Sequence, residues 1–142
     1  MLNKIPKILS PELVKILMEM GHGDEIVIAD GNFPSASHAQ HLVRADGHGV
    51  PELLVAILKV FPLDTYVEKP VSLMQVMPGD TVETPIWDEY EKIIAAADDR
   101  GGKVIGQIER FKFYEEAKTA YAIIATSEAA LYANVMLQKG VI

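Results

Sequence analysis

The sequence predicts an α/β protein: a three-layer α/β/α single domain over residues 1–142, built around a mainly parallel sheet. Three observations carry this expectation. Apolar stripes at helical spacing alternate along the chain with short apolar runs of strand length. Those runs are continuous rather than alternating, as in strands covered by helices on both faces. The connections are short, with no internal repeat, no low-complexity tract and no linker long enough to separate a second domain.

The elements follow in order. Ser10-Pro11-Glu12 opens a helix whose stripe is Leu13, Ile16, Leu17 and Met20, and Gly21 closes it. Ile26 to Ala29 is a short, wholly apolar strand. Val50 to Phe61 is a helix with Pro51 in its first turn and Leu53, Leu54, Ile57, Leu58 and Phe61 on one face. Val71 to Val76 is a strand, closed by the turn signal Met77-Pro78-Gly79-Asp80. Pro85 to Ala97 reads as a helix ending in Asp98-Asp99-Arg100-Gly101-Gly102, and Val104 to Ile108 as a strand. Phe111 to Thr119 reads as a helix, and Tyr121 to Ala125 and Asn134 to Leu137 as the last two strands.

Composition removes several classes of function. With 49% hydrophobic and 23% charged residues, a chain of 142 residues has enough apolar side chains for a folded core. A net charge of -7 argues against nucleic acid, whose phosphates need a basic face. No apolar run approaches the roughly 20 residues of a membrane span. The segment Met1-Leu2-Asn3-Lys4-Ile5-Pro6 lacks a signal-peptide core. The chain has no cysteine, which excludes disulfides, thiolate catalysis and cysteine-held metals. A cytoplasmic location is expected on these grounds.

Cofactor motifs are missing as well. Gly21 and Gly23 have the spacing that opens a dinucleotide loop, but the third position is Ile26, and the glycines precede a strand instead of following one. His38 and His41 are three apart and would share a face on a helix, with His48 nearby, but there is no H-E-x-x-H and no third ligand to assign, so all three are read as solvated loop residues. No cofactor and no metal are expected.

Polar residues at the ends of elements are the candidates for chemistry. His22 and Asp30 open and close one strand: a proton-transfer group and a hydrogen-bonding carboxylate, or a helix cap followed by an Asx turn. They are expected to face one pocket, which requires the turns to fold back across the strand. Arg110 sits at a helix start, where a cation is mildly unfavourable, which singles it out. Phe111, Phe113 and Tyr114 are assigned to the core rather than to a sugar-stacking platform. Tyr132-Ala133-Asn134 supplies a hydroxyl and an amide of the kind that orient a polar ligand. Asp24 and Asp46-Gly47 are read as turn residues.

Together these segments resemble the family of L-fucose mutarotase and D-ribose pyranase. The resemblance spans essentially the whole chain. It is carried by Ile8-Leu9-Ser10-Pro11-Glu12-Leu13, Glu19-Met20-Gly21-His22-Gly23-Asp24-Glu25, Asp30 with Phe33-Pro34, Arg44-Ala45-Asp46-Gly47, Arg110-Phe111-Lys112-Phe113-Tyr114-Glu115, and Tyr132-Ala133-Asn134 with Lys139-Gly140-Val141. The block around His22 and the Arg110 block place it nearer the fucose branch. Two departures bear on the sugar: Gly31-Asn32 stands where that branch tends to have Ala-His, and Tyr132-Ala133-Asn134 has the pyranase form.

The resemblance implies a metal-free, non-redox isomerase of free monosaccharides, assembled into ring-shaped homo-oligomers such as decamers. It implies His22 as proton donor, with Asp30, Arg110, Tyr132, Ala133 and Asn134 at the sugar. Mutarotation needs one proton delivered to the ring oxygen and one removed from the anomeric hydroxyl, work that suits an imidazole. Two other outcomes stay open from sequence: a non-catalytic sugar-binding protein on the same scaffold, and a pyranase acting on D-ribose.

Overall fold

The computed structural model describes all 142 residues. Helix α1 (Pro11–Glu19) starts where Ser10 accepts the Leu13 amide at 3.1 Å, and it buries Leu13, Ile16 and Leu17. Strand β1 (Glu25–Ala29) follows, then the single-turn helix α2 (Ser35–His38) and strand β2 (Leu42–Ala45). Helix α3 (Val50–Leu58), strand β3 (Val71–Met74) and helix α4 (Pro85–Ala97) come next. A 3₁₀ turn (Gly101–Val104), strand β4 (Ile105–Ile108), helix α5 (Arg110–Thr119), strand β5 (Ala122–Thr126) and strand β6 (Val135–Gln138) complete the chain.

All six strands form one sheet in the order β2-β5-β1-β6-β3-β4. The pairs β1–β5, β2–β5 and β3–β4 are parallel, and β6 is antiparallel to both its neighbours. Five strands therefore point one way and β6 alone points back, so the sheet is mainly parallel, as expected. The reversal has a simple cause. Only the short segment Ser127–Asn134 joins β5 to β6, and a parallel return needs a crossover of a dozen or more residues.

Both faces of the sheet are covered. Ile26 and Ile28 of β1 join Leu13, Leu53, Ile57, Tyr90 and Ile94 in the larger core, under α1, α3 and α4. Val27 and Ala29 face the other way and join Phe33, Phe113, Ala117 and Met136 under α2 and α5. This explains why β1 reads as a continuous apolar run. No helix is long and apolar enough to cross a membrane.

The differences from the sequence reading lie in the short elements and in two element ends: α3 stops at Leu58 instead of Phe61, and β3 at Met74 instead of Val76. α2, β2 and the 3₁₀ turn are absent from the sequence expectation. Each is only four residues long, too short to show a period: α2 is Ser-Ala-Ser-His, β2 is Leu-Val-Arg-Ala and the 3₁₀ turn is Gly-Gly-Lys-Val. Helix α5 begins at Arg110, one residue earlier than expected. Its cap is the Glu109 carboxylate, which accepts the Phe111 and Lys112 amides at 3.0 and 3.1 Å. The negative charge suited to that helix end comes from Glu109, and Arg110 is left for other work.

Candidate functional site

A cavity of about 220 Å³ opens at the edge of the sheet where β1 and β3 end and β6 begins. Crevices outside the carboxyl ends of parallel strands are where α/β sheets bind ligands. Pairing of Ile28 with Val135 sets Asp30 beside the segment Ala133-Asn134. Asp30, Asn32, Asp80, Arg110, Tyr132 and Asn134 form the polar wall, with the Tyr114 ring beside them. Phe33, Met74 and Leu131 are apolar. Four predicted site residues thus meet in one cavity although more than a hundred positions of sequence separate Asp30 from Asn134.

Asp30 and Asn134 are tied together. The Asp30 amide donates to Asn134 Oδ1 at 2.8 Å, and Asp30 Oδ1 accepts the Asn32 amide at 3.0 Å in an Asx turn. Burial pushes the Asp30 carboxyl above the usual aspartate range, and amides of Asn32, Phe33 and Ala133 with the Asn134 side chain pull it some of the way back. A buried carboxylate held by its neighbours is a prepared acceptor for ligand hydroxyls.

Tyr132 has a left-handed backbone, φ 54°, unusual for a side chain of that size. Two aromatic residues of α4 hold the turn. Trp87 Nε1 donates to the Tyr132 carbonyl at 2.8 Å, and the Tyr90 hydroxyl donates to the Ala133 carbonyl at 2.7 Å. The turn aims Tyr132 and Asn134 at the cavity while Ala133 packs fully buried in the larger core. Ala133 therefore sets spacing through its backbone. The Tyr132 hydroxyl donates to Asp80 Oδ2 at 2.8 Å.

Arg110 leans over Tyr114, its guanidinium 5.5 Å from the ring centre, and donates from Nε to the Tyr114 hydroxyl at 3.2 Å. Its terminal nitrogens have no protein partner, so two fork donors are available to a ligand. Tyr114 also packs on Phe33 with 5.4 Å between ring centres. The expected core role holds for Phe113, which is fully buried, but not for its neighbours: Tyr114 lines the cavity and Phe111 is 62% exposed.

His22 does not line this cavity. It stands at the opposite end of β1, where four strand steps of about 3.3 Å put about 13 Å between Glu25 and Ala29. Within one chain, His22 and Asp30 share no pocket. The turns do not fold back, because Gly23 and Lys139 pair across the β1–β6 end: the Gly23 amide donates to the Lys139 carbonyl at 2.8 Å, and the Lys139 amide to the Asp24 carbonyl at 2.9 Å.

The His22 end has chemistry of its own. His22 Nε2 meets Asp64 Oδ1 at 3.1 Å, and its ring lies 5.1 Å from that of Tyr66. Asp64 is 1% exposed and also receives the Tyr66 amide at 2.9 Å and Gln138 Nε2 at 3.1 Å. The Tyr66 amide, with the His22 and Gln138 contacts, holds the Asp64 carboxyl below the usual range against the effect of burial. Gly140 permits this approach: a Cβ there would sit 2.7 Å from the Leu63 carbonyl oxygen and 2.8 Å from Asp64 Cα. A buried carboxylate behind a half-exposed imidazole fixes the orientation of the ring.

Sequence reasoning missed Asp64, Asp80, Tyr114, Trp87 and Tyr90. Asp80 was legible as a turn residue only, and Asp64 lies in a segment without periodic signal. The three remaining histidines lie apart: His38 beside Ser37, His41 on the Tyr121 carbonyl at 2.7 Å, and His48 beside Glu52. No group of three or more His, Cys, Asp or Glu side chains is placed to hold a metal ion.

Residues 3–142 match the model of the RbsD / FucU transport protein family. The chain belongs to this family. It is 51% identical to the fucose mutarotase of Homo sapiens, an alignment covering 99% of the chain and 94% of the relative. Its fold is similar to the crystal structure of FucU from Bifidobacterium longum, with a TM-score of 0.97 and 60% identity over 99% of each chain. It is also similar to the crystal structure of the fucose mutarotase in complex with L-fucose from Streptococcus pneumoniae, with a TM-score of 0.92 and 51% identity over 99% of each chain. The family expected from the motifs is thus the family found, on its fucose side.

Proposed function

We propose that the chain is a monosaccharide mutarotase that exchanges the anomers of a free aldose, with L-fucose as its substrate. The single observation that carries this is the meeting of Asp30, Arg110, Tyr132 and Asn134 in one cavity, beside the apolar Phe33, Met74 and Leu131. A sugar buries many hydroxyls, each costly if unpaired, and needs this density of donors and acceptors. At about 220 Å³ the cavity is below the range of drug-sized ligands and suits a single sugar ring. Two carboxylates and one guanidinium leave no surplus positive charge for a phosphate, which favours a neutral sugar. The apolar side suits the methyl group of a 6-deoxy sugar. The fucose mutarotases among the relatives support the same choice.

Mutarotation requires ring opening and reclosure, with a proton delivered to the ring oxygen and one taken from the anomeric hydroxyl. Asp30 accepts sugar hydroxyls, Asn134 and Arg110 donate to them, and Tyr132 closes the ring of contacts. His22 is the proton donor, with Asp64 as its positioning residue. Because His22 stands at the far end of β1, it reaches a sugar only from a neighbouring copy. The site is therefore shared in a homo-oligomer of ring type. Exposed Leu2, Met18, Val141 and Ile142 lie at the same end, where His22 borders a groove with Ile5, Leu9 and Val14; this apolar surface supports burial against another copy. The protein is assigned to the cytoplasm.

Saturation transfer between the anomeric protons of L-fucose, D-ribose and related aldoses tests the activity directly. The expected result is exchange of L-fucose above the buffer rate, and a loss of about 10²-fold or more in His22→Ala. A parent protein that binds one of these sugars but exchanges none is a binding protein. A fully active His22→Ala removes His22 as the donor.

A further inference from the structure

The hydrogen bonds around Tyr132 fix the direction in which its hydroxyl can bind. A phenol has one hydrogen to give and two lone pairs. The Tyr132 hydrogen goes to Asp80 Oδ2 at 2.8 Å, and the Met77 amide donates to the Tyr132 oxygen at 3.3 Å. An ionised carboxylate accepts only, so the hydrogen between the two oxygens belongs to Tyr132. One lone pair is left for the cavity. Asp80 is itself fixed, since its Oδ1 accepts the Val82 amide at 3.0 Å and Gly79 before it takes the turn at φ 84°. Across the cavity the polarity is reversed: the Tyr114 oxygen accepts from Arg110, so its own hydrogen is free.

We propose that Asp80 is a positioning residue that makes Tyr132 an acceptor-only group towards the sugar, so that this side of the cavity selects a sugar hydroxyl able to donate. The proposal rests on the mutarotase function above and extends it to a residue of the β3–α4 loop. Asp80 acts here through hydrogen-bond direction, not through charge or shape. A sugar with an ether, fluorine or hydrogen at the matching carbon presents no donor and loses the contact.

Asp80→Asn separates direction from shape. The Val82 amide still requires an acceptor, so the new side chain keeps its oxygen on Val82 and turns its NH₂ towards Tyr132. The Tyr132 hydrogen is then displaced towards the sugar, and two donors meet. The experiment measures anomer exchange and the sugar dissociation constant, both by NMR with L-fucose, for the parent, Asp80→Asn, Tyr132→Phe and the double variant. The expected result is a loss of about tenfold in kcat/KM and a weaker dissociation constant for Asp80→Asn, but less than about twofold further loss in the Tyr132→Phe background, with unchanged melting. A loss under about twofold in the parent, or the same loss in both backgrounds, overturns the proposal. If the parent binds L-fucose without exchanging it, the mutarotase function falls, and the same cycle read on the dissociation constant alone still decides the role of Asp80. If the parent neither binds nor exchanges any aldose, both fall.

Discussion

Replacing Tyr90 by phenylalanine isolates one hydrogen bond beneath the site. The Tyr90 side chain is fully buried and its hydroxyl donates to the Ala133 carbonyl at 2.7 Å. Phenylalanine keeps the ring and the packing of the larger core, so the change leaves no cavity beyond one oxygen. What is lost is a buried hydrogen bond whose acceptor stays behind, about 1–3 kcal/mol. The consequence extends to the site, because Tyr132 holds a left-handed conformation that costs about 1–2 kcal/mol in an L-residue. Trp87 and Tyr90 offset that cost together, and in Tyr90→Phe only the Trp87 contact remains. Sugar affinity should fall about three- to tenfold as the turn samples other conformations. Trp87 is the sole tryptophan and touches the turn directly, so its fluorescence reports both the urea transition and the local change. A variant within about 0.5 kcal/mol of the parent, with unchanged sugar affinity, would refute the role given to Tyr90.

Two further substitutions test the half-buried Glu25 and the buried Asp30. Burial, helped by Glu116, pushes the Glu25 carboxyl up to about 7, so the folded chain holds a proton there that the unfolded chain releases near 4.5. Glu25 costs nothing below the lower value, and stability is lost as pH rises through the upper one; Glu25→Gln should therefore gain about 1 kcal/mol at pH 8, after allowance for solvent screening, and nothing at pH 4, as read by urea melts. Asp30 is raised in the same direction, so Asp30→Asn should be more stable than the parent above neutral pH while losing sugar binding, measured by melting and NMR titration. An Asp30→Asn protein that binds sugar like the parent removes Asp30 from the site.

Much of this was legible in the residues, for reasons that also explain the gaps. β1, α1, α3 and α4 carry long apolar stripes or runs, because each buries a face against the sheet. α2 and β2 were invisible because each has four residues and one buried side chain, Ser35 in α2 and Val43 in β2, which is too few to carry a period. Asp30, Arg110, Tyr132 and Asn134 could be singled out because each borders an element end, where polar side chains converge. Asp64 and Asp80 could not, since their partners are forty-two and fifty-two positions away and only the fold brings them together. The shared pocket for His22 and Asp30 failed for a different reason. Both residues border one strand, and strand length keeps its two ends apart whatever the turns contain.

That separation sets the most direct test of the account. His22→Ala lacks the proposed proton donor but keeps the cavity, and Asp30→Ala lacks the cavity carboxylate but keeps His22. Each should be inactive alone in L-fucose anomer exchange. Unfolded together in equal amounts and refolded, they should regain about a quarter of the parent rate, because about one interface in four pairs an intact cavity with an intact neighbouring His22. No recovery on mixing, from a parent that is active and oligomeric, would contradict a site built from two copies.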